Sequence, residues 1–209
     1  MTRIVAGKLG GRGLTVPPKG TRPTSERVRE ALFSRLDHLG VVRGAVVIDG
    51  YAGSGALGLE AISRGARRAV LVEKNAKAAA VCRTNVRSLG LGSQVEVVAG
   101  DVATYFAGAP IVGGADLIML DPPYDVPGET LAGVVAAAAA WLAPDGILMV
   151  ERAARSEPLA WDPQLEELPA KKYGDTLVHF LQLRLPEDAA EEAAPAGGSD
   201  SGAPATARD

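Results

Sequence analysis

The chain has 209 residues, 47% hydrophobic and 22% charged, enough for one substantial core plus appendages rather than several domains. A single cysteine excludes an internal disulfide, and His38 and His179 have no Cys or His neighbours at ligand spacing, so no metal site is expected. The net charge of −3 hides a gradient, because residues 1–35 carry eight Lys and Arg against two Glu, whereas 186–209 carry six acids against Arg208.

The N-terminal residues Met1–Lys8 lack the apolar stretch of a secretory signal. The longest nearly uncharged apolar run, Leu131–Ala143, ends at Pro144, well short of the ~20 residues of a membrane span. A cytoplasmic monomer with no membrane partner is the expectation. Arg3-Ile4-Val5 and Leu14-Thr15-Val16 flank the glycine-rich stretch Gly7–Gly13, which suggests a β-hairpin or a mobile arm. Thr24 or Ser25 can cap a helix running to about Leu36, with Val28, Leu32 and Leu36 on its apolar face and Arg27, Arg29 and Arg35 largely off it.

From Ala45 onward, short apolar runs alternate with helical stretches, the pattern of a parallel sheet covered on both faces. Strands are expected at Ala45–Asp49, Ala69–Glu73, Val95–Ala99, Leu117–Asp121 and Ile147–Glu151, with helices at Ala56–Ser63, Asn75–Leu89 and Glu129–Leu142. The runs Leu168–Tyr173 and Thr176–Arg184 are separated only by Gly174-Asp175, too short for a parallel crossover, so they should close the sheet as an antiparallel hairpin. Residues 186–209 contain no aromatic or aliphatic core former and should be disordered. The expected organisation is a basic arm and helix over 1–36, a catalytic α/β domain over 37–185 and an acidic tail over 186–209.

Two strings carry chemistry. Asp49-Gly50-Tyr51-Ala52-Gly53-Ser54-Gly55 leaves a strand and opens a helix, where glycines admit a ligand to the backbone and helix amides face it. Gly53–Gly58 also satisfies G-x-G-x-x-G with Glu73 about 20 residues on, so a dinucleotide competes with other adenosine ligands here. Glu73, ending the second strand, can accept hydrogen bonds from both ribose hydroxyls of either cofactor. After the third strand come Asp101 and Val102, where an acid is either a helix cap or a partner for an adenine amino group.

The second string, Asp121-Pro122-Pro123-Tyr124, ends the fourth strand. Two prolines stiffen the turn and remove two donors, leaving carbonyls and the Asp121 carboxylate as a cluster of acceptors. Such a cluster suits an amine held by its own hydrogens. A base amino group is a poor nucleophile because its lone pair is delocalised into the ring, and accepting its N–H bonds points that lone pair at a methyl donor and stabilises the developing charge. Tyr124 offers a face on which an extruded base can stack.

The whole α/β pattern is similar to the class I methyltransferase fold, Rossmann-like, with the C-terminal hairpin and a small N-terminal hairpin and helix added. The Asp-Pro-Pro-Tyr loop resembles that of nucleic-acid amino methyltransferases. More closely, residues 3–184 resemble the RsmD family through Arg3-Ile4-Val5-Ala6-Gly7, Arg22-Pro23-Thr24, Val28-Arg29-Glu30, Asp49 through Glu60, Glu73-Lys74-Asn75 and Asp121–Tyr124. That resemblance implies S-adenosylmethionine as cofactor, with Lys74 among its binding residues. It also implies N2 of guanine 966 in 16S ribosomal RNA, naked or in an assembling small subunit, as the acceptor. Arg3, Lys8, Arg12, Lys19, Arg22 and Arg27 are then the expected RNA contacts. Gly50-Tyr51 departs from the family, which is expected to carry a larger apolar residue followed by Phe.

Four other readings use some of the same residues. A DNA adenine-N6 or cytosine-N4 methyltransferase would share loop and cofactor, but no target-recognition domain remains once the sheet is counted. A protein glutamine methyltransferase usually carries Asn where Asp121 stands. A ribosome-assembly module without turnover has no need of an intact Asp121 and Glu73. A dinucleotide oxidoreductase lacks residues placed for hydride chemistry.

Overall fold

A computed structural model describes residues 2–17, 25–123 and 125–184. Thr24, Lys19, Arg22, Tyr124 and the tail 186–209, all singled out above, lie outside the described residues. In chain order the structure runs β1 (Thr2–Arg3), a 3-10 turn (Gly7–Leu9), β2 (Gly13–Leu14), α1 (Glu26–His38), β3 (Val46–Gly50), α2 (Ala56–Ser63), β4 (Arg68–Glu73), α3 (Ala76–Ser88) and β5 (Val95–Ala99). It continues with α4 (Val102–Phe106), β6 (Ala115–Leu120), α5 (Gly128–Ala139), β7 (Leu142–Ala153), β8 (Leu165–Tyr173) and β9 (Thr176–Leu183).

Seven strands form one sheet in the order β5-β4-β3-β6-β7-β9-β8. β3 through β7 run parallel to one another, while β9 runs antiparallel to both β7 and β8. This is the expected mostly parallel class I architecture with its terminal hairpin. Val47 and Ile48 on β3 and Leu117 to Leu120 on β6 are buried on both faces, as central strands between helical layers must be. At the β8 edge, Glu166, Glu167, Lys171 and Lys172 are exposed, and the register shifts between Leu168 and Lys171 around Pro169. Charge, proline and a bulge together discourage pairing with another chain.

Two apolar clusters fill the spaces on either side of the sheet. One joins Val47, Leu71, Met119, Met149 and Phe180 to α1, α2 and α3, and takes in Ile4 and Leu14 from the N-terminal hairpin. The other joins Ile48, Val72, Leu120, Val150 and Leu181 to α4 and α5. The hairpin is therefore packed into the core of the sheet rather than left as a mobile arm.

Three local expectations need correction. The helix expected to reach Leu142 stops at Ala139, and Leu142 already pairs with Ala115 as the start of β7. Pro144-Asp145-Gly146 is absorbed in a register shift, because Leu117 next pairs with Ile147. Five residues after β5 form the short helix α4, capped by Asp101. The third correction concerns Arg29, expected off the apolar face of α1 and instead only 1% exposed. Arg29, Leu32, Phe33 and Leu36 follow the i, i+3, i+4, i+7 spacing of a single face, so the helix turns the arginine inward.

Candidate active site

The carboxyl ends of β3, β4, β5 and β6 meet at one edge of the sheet, and β3 is the point where the strand order reverses. Register brings the two chemical strings together there. Gly50 pairs with Val72 on one side and Leu120 on the other, so Tyr51 and Asp121 are the next residues out on adjacent strands. Asp121 is half-buried, and its charge reaches Asp49.

Asp49 is 1% exposed, and its Oδ2 accepts the Gly58 amide at 2.8 Å. Burial pushes this carboxyl up to about 7, with Asp121 and Glu73 adding to the rise and the Gly58 hydrogen bond opposing it. Gly58 makes the approach possible, since a Cβ there would lie 2.2 Å from Leu71 Cδ2. The loop itself is braced from β4. Ala52 donates to the Val72 carbonyl at 3.0 Å, and Gly53 donates to Glu73 Oε2 at 2.8 Å. The other Glu73 oxygen accepts the Asn75 amide at 2.6 Å. Ser54 offers its carbonyl to Asn85 Nδ2 at 2.9 Å, and Gly55 begins α2 in the left-handed conformation.

The departure at Gly50-Tyr51 has a packing cause. A Cβ at Gly50 would lie 2.7 Å from Leu120 Cδ2 and 3.3 Å from Val102 Cγ1, so neighbouring side chains already fill that space. Tyr51 takes φ 67°, a conformation rare outside glycine, and is half-buried against the α4 and α5 cluster. Burial raises its phenol above the ordinary value, with Asp101 adding to the effect.

Asp101 plays the cap role directly: its Oδ1 accepts from Ala103 and Thr104 at 3.0 and 3.3 Å. Its Oδ2 meets Lys74 Nζ at 3.1 Å, and that hydrogen bond holds the carboxyl below its usual range. Val102, 3% exposed, packs inward behind Gly50. Beyond β6, the Pro123 carbonyl accepts the Val126 amide at 3.1 Å, which folds the turn back toward α5.

Four acids, Asp49, Glu73, Asp101 and Asp121, thus gather on one edge. No group of His, Cys, Asp or Glu suited to a metal occurs among the described residues. The donor set fits a cationic ligand that also carries hydroxyls: carboxylates at two strand ends, with a buried third acid beneath the loop. Each Glu73 oxygen that accepts one amide retains a second lone pair for a ribose hydroxyl.

The expected RNA contacts are not all at this edge. Arg27 is exposed near the start of α1, and Arg3, 61% exposed, pairs with Glu26 at 3.0 Å. Lys8 instead reaches Gln94 Oε1 at 3.2 Å, just before β5 starts, and Arg12 reaches the Ser88 carbonyl at the end of α3. Leu9 donates to Ser63 Oγ at 2.9 Å at the far end of α2. The hairpin tip therefore sits about 12 Å down α2 from the glycine loop, at the opposite edge of the sheet.

Sequence reasoning missed two polar residues that hold this arrangement. Glu60 is fully buried and accepts the Val5 and Ala6 amides at 2.7 and 2.9 Å, while pairing with Arg64 at 2.9 Å and Arg29 at 3.5 Å. Asn85, 1% exposed, exchanges two hydrogen bonds with the Thr15 backbone and donates a third to Ser54. A polar residue inside an otherwise apolar helix face was the available signal for both. Cys82 is fully buried with its Sγ 3.1 Å from the Gly53 carbonyl, and burial pushes its thiol up to about 12.

A family model described as conserved hypothetical protein 95 matches residues 2–182. A Haemophilus influenzae ribosomal RNA small subunit methyltransferase D is 33% identical over 151 residues, covering 71% of this chain and 77% of the relative. The Escherichia coli protein of the same name is 39% identical over 125 residues, 58% of this chain and 60% of its own length. Among solved structures, a candidate methyltransferase from Escherichia coli superposes with a TM-score of 0.76 at 30% identity, covering 88% of this chain and 99% of that one. A hypothetical protein of Thermus thermophilus gives 0.73 at 32% identity, covering 88% and 100%.

Proposed function

The chain belongs to the RsmD methyltransferase family, described as conserved hypothetical protein 95, and from that membership and the site geometry we propose that it methylates a guanine N2 of small-subunit ribosomal RNA. The nucleotide that the family resemblance implies is guanine 966. The observation that carries the reading is the β3–β6 register, which sets Asp121-Pro122 beside the glycine loop.

Bound S-adenosylmethionine supplies an electrophilic methyl group on a cationic sulfur. The glycine loop, with Glu73 as ribose acceptor, Asp101 toward the adenine and Lys74 beside it, holds the cofactor, while Asp49 braces the loop from beneath. The Asp121 carboxylate and Pro122 carbonyl accept the two N–H bonds of the acceptor amine, orient its lone pair and stabilise the positive charge that develops on nitrogen. Pro123 stiffens the turn, and Tyr124 stacks on the extruded base. Arg27 and Arg3, at the start of α1, meet the RNA, as do Lys19 and Arg22 in this reading. Lys8 and Arg12 lie too far from the acceptor pocket to touch the same nucleotide.

The test is transfer of labelled methyl from S-adenosylmethionine to small subunits and 16S ribosomal RNA from cells lacking this protein, with nucleoside analysis of the product. N2-methylguanosine is expected, and Asp121→Ala should abolish it while cofactor affinity stays within about twofold of wild type. Methyl found on adenine N6 or cytosine N4, or on DNA in preference to RNA, would replace this reading with the DNA amino methyltransferase one.

A further inference from the structure

On the side of the catalytic turn away from the cofactor loop, a cleft of about 450 Å³ opens between the first turn of α5 and the segment that follows β7. Gly128, Glu129, Arg152, Ser156, Glu157 and Leu159 line it. Register ties it to the reaction site. Leu120 pairs with Val150, so Asp121 falls beside Glu151 and Pro122 beside Arg152, one strand away.

Arg152 is held in place. Its Nη1 donates to the Glu157 carbonyl at 2.5 Å, which closes the chain after β7 into a turn, and Ser156 donates to the Ala153 carbonyl at 2.9 Å. The remaining guanidinium donors form a fork suited to a phosphate. Lys172 belongs to the same row, since both Arg152 and Lys172 pair with Leu177, and Arg155 is exposed at the start of the turn. Two acids, Glu129 and Glu157, stand exposed on the rim, and Asp175 lies in the adjoining β8–β9 turn.

This lining is neither an apolar groove nor a bare phosphate nest. One cation anchors an anion, while a hydroxyl and a carboxylate can meet ribose hydroxyls and base amino groups, and the volume accommodates a nucleotide. Lys8 and Arg12, by contrast, lie at the opposite edge of the sheet.

We propose that this cleft is the subsite for the RNA nucleotide adjoining the methylated one, with Arg152 as its phosphate ligand. The proposal rests on the RNA reading above and adds to it a contact surface on β7–β9. An RNA strand gripped here and at the start of α1 would cross the carboxyl edge of the sheet, with the target base turned down toward Asp121.

The experiment uses the full chain and 16S ribosomal RNA or small subunits from cells lacking it. Arg152→Ala should raise KM for RNA about tenfold and reduce the salt slope of RNA binding by about 0.7. The dissociation constant for S-adenosylhomocysteine should be unchanged. Because Arg152 also shapes its own turn, Ser156→Phe provides an independent arm: it fills the cleft from an exposed position and should raise KM for RNA equally without altering the salt slope. Wild-type KM and salt slope in Arg152→Ala, together with wild-type KM in Ser156→Phe, would overturn the subsite while leaving methyl transfer intact. A wild-type protein that binds S-adenosylhomocysteine but methylates no ribosomal RNA would instead overturn the RNA reading itself.

Discussion

Asp49 shows how one buried carboxyl links stability to ligand binding. Folding lifts it from an ordinary value near 3.8 to about 7, so the native state keeps a proton that the unfolded chain has already released. The resulting penalty is absent below about pH 4, grows as pH rises, and is complete above about pH 7. Asp49→Asn keeps a carbonyl for the Gly58 amide and removes the charge. It should therefore be more stable than wild type by up to roughly 4 kcal/mol at pH 8 and differ little near pH 4, as denaturant titrations at both values would reveal. A cationic cofactor favours the ionised acid, so its affinity in wild type should rise as pH increases through about 7 and do so much less in the variant. Glu73→Ala should weaken cofactor binding by about 1–3 kcal/mol in calorimetry, because the ribose acceptor and the Gly53 anchor disappear together. Glu73 and Asp121 were legible in the sequence as acids at strand ends. The burial of Asp49 depends on how α2 packs through Gly58, which no local pattern encodes.

Among the elements, α2 carries two duties at its two ends. Its first turn shapes the cofactor loop, while Glu60 and Ser63 farther along clasp the N-terminal hairpin. Glu60 balances Arg29, which also donates to the Arg3 carbonyl, and Arg64, which extends the network to Glu30 and Asp37. Removing one partner of a buried pair strands the other charge, so Glu60→Ala should cost about 3–5 kcal/mol of stability in denaturant unfolding. A loss below about 1 kcal/mol would mean that water reaches Arg29. Apart from α4 and the junction of α5 with β7, strand and helix positions from β3 to β9 were readable because their apolar periods are strong and their turns short. The hairpin's docking was not, since its partners Glu60 and Asn85 lie 54 to 70 residues away and no local signal records such a pairing.

For the whole molecule, charge along the chain proved a poor guide to charge in space. The basic N-terminal segment is split by the fold, with Arg3 and Arg27 near the start of α1 and Lys8 and Arg12 behind the sheet. The double substitution Lys8→Ala and Arg12→Ala should therefore leave the salt slope of RNA binding unchanged, whereas loss of about 1.4 from that slope would show RNA wrapping to the far edge. The same separation in sequence has a consequence for the order of events in folding. During synthesis the hairpin cannot complete its docking until α3 has emerged, because Val5 and Ala6 are held by Glu60 on α2 but Thr15 by Asn85 on α3. The hairpin should close last, over a sheet already assembled. Ile4→Ala should then accelerate unfolding in stopped-flow experiments while leaving the refolding rate nearly unchanged, and a slowed refolding limb would place the hairpin in the nucleus instead.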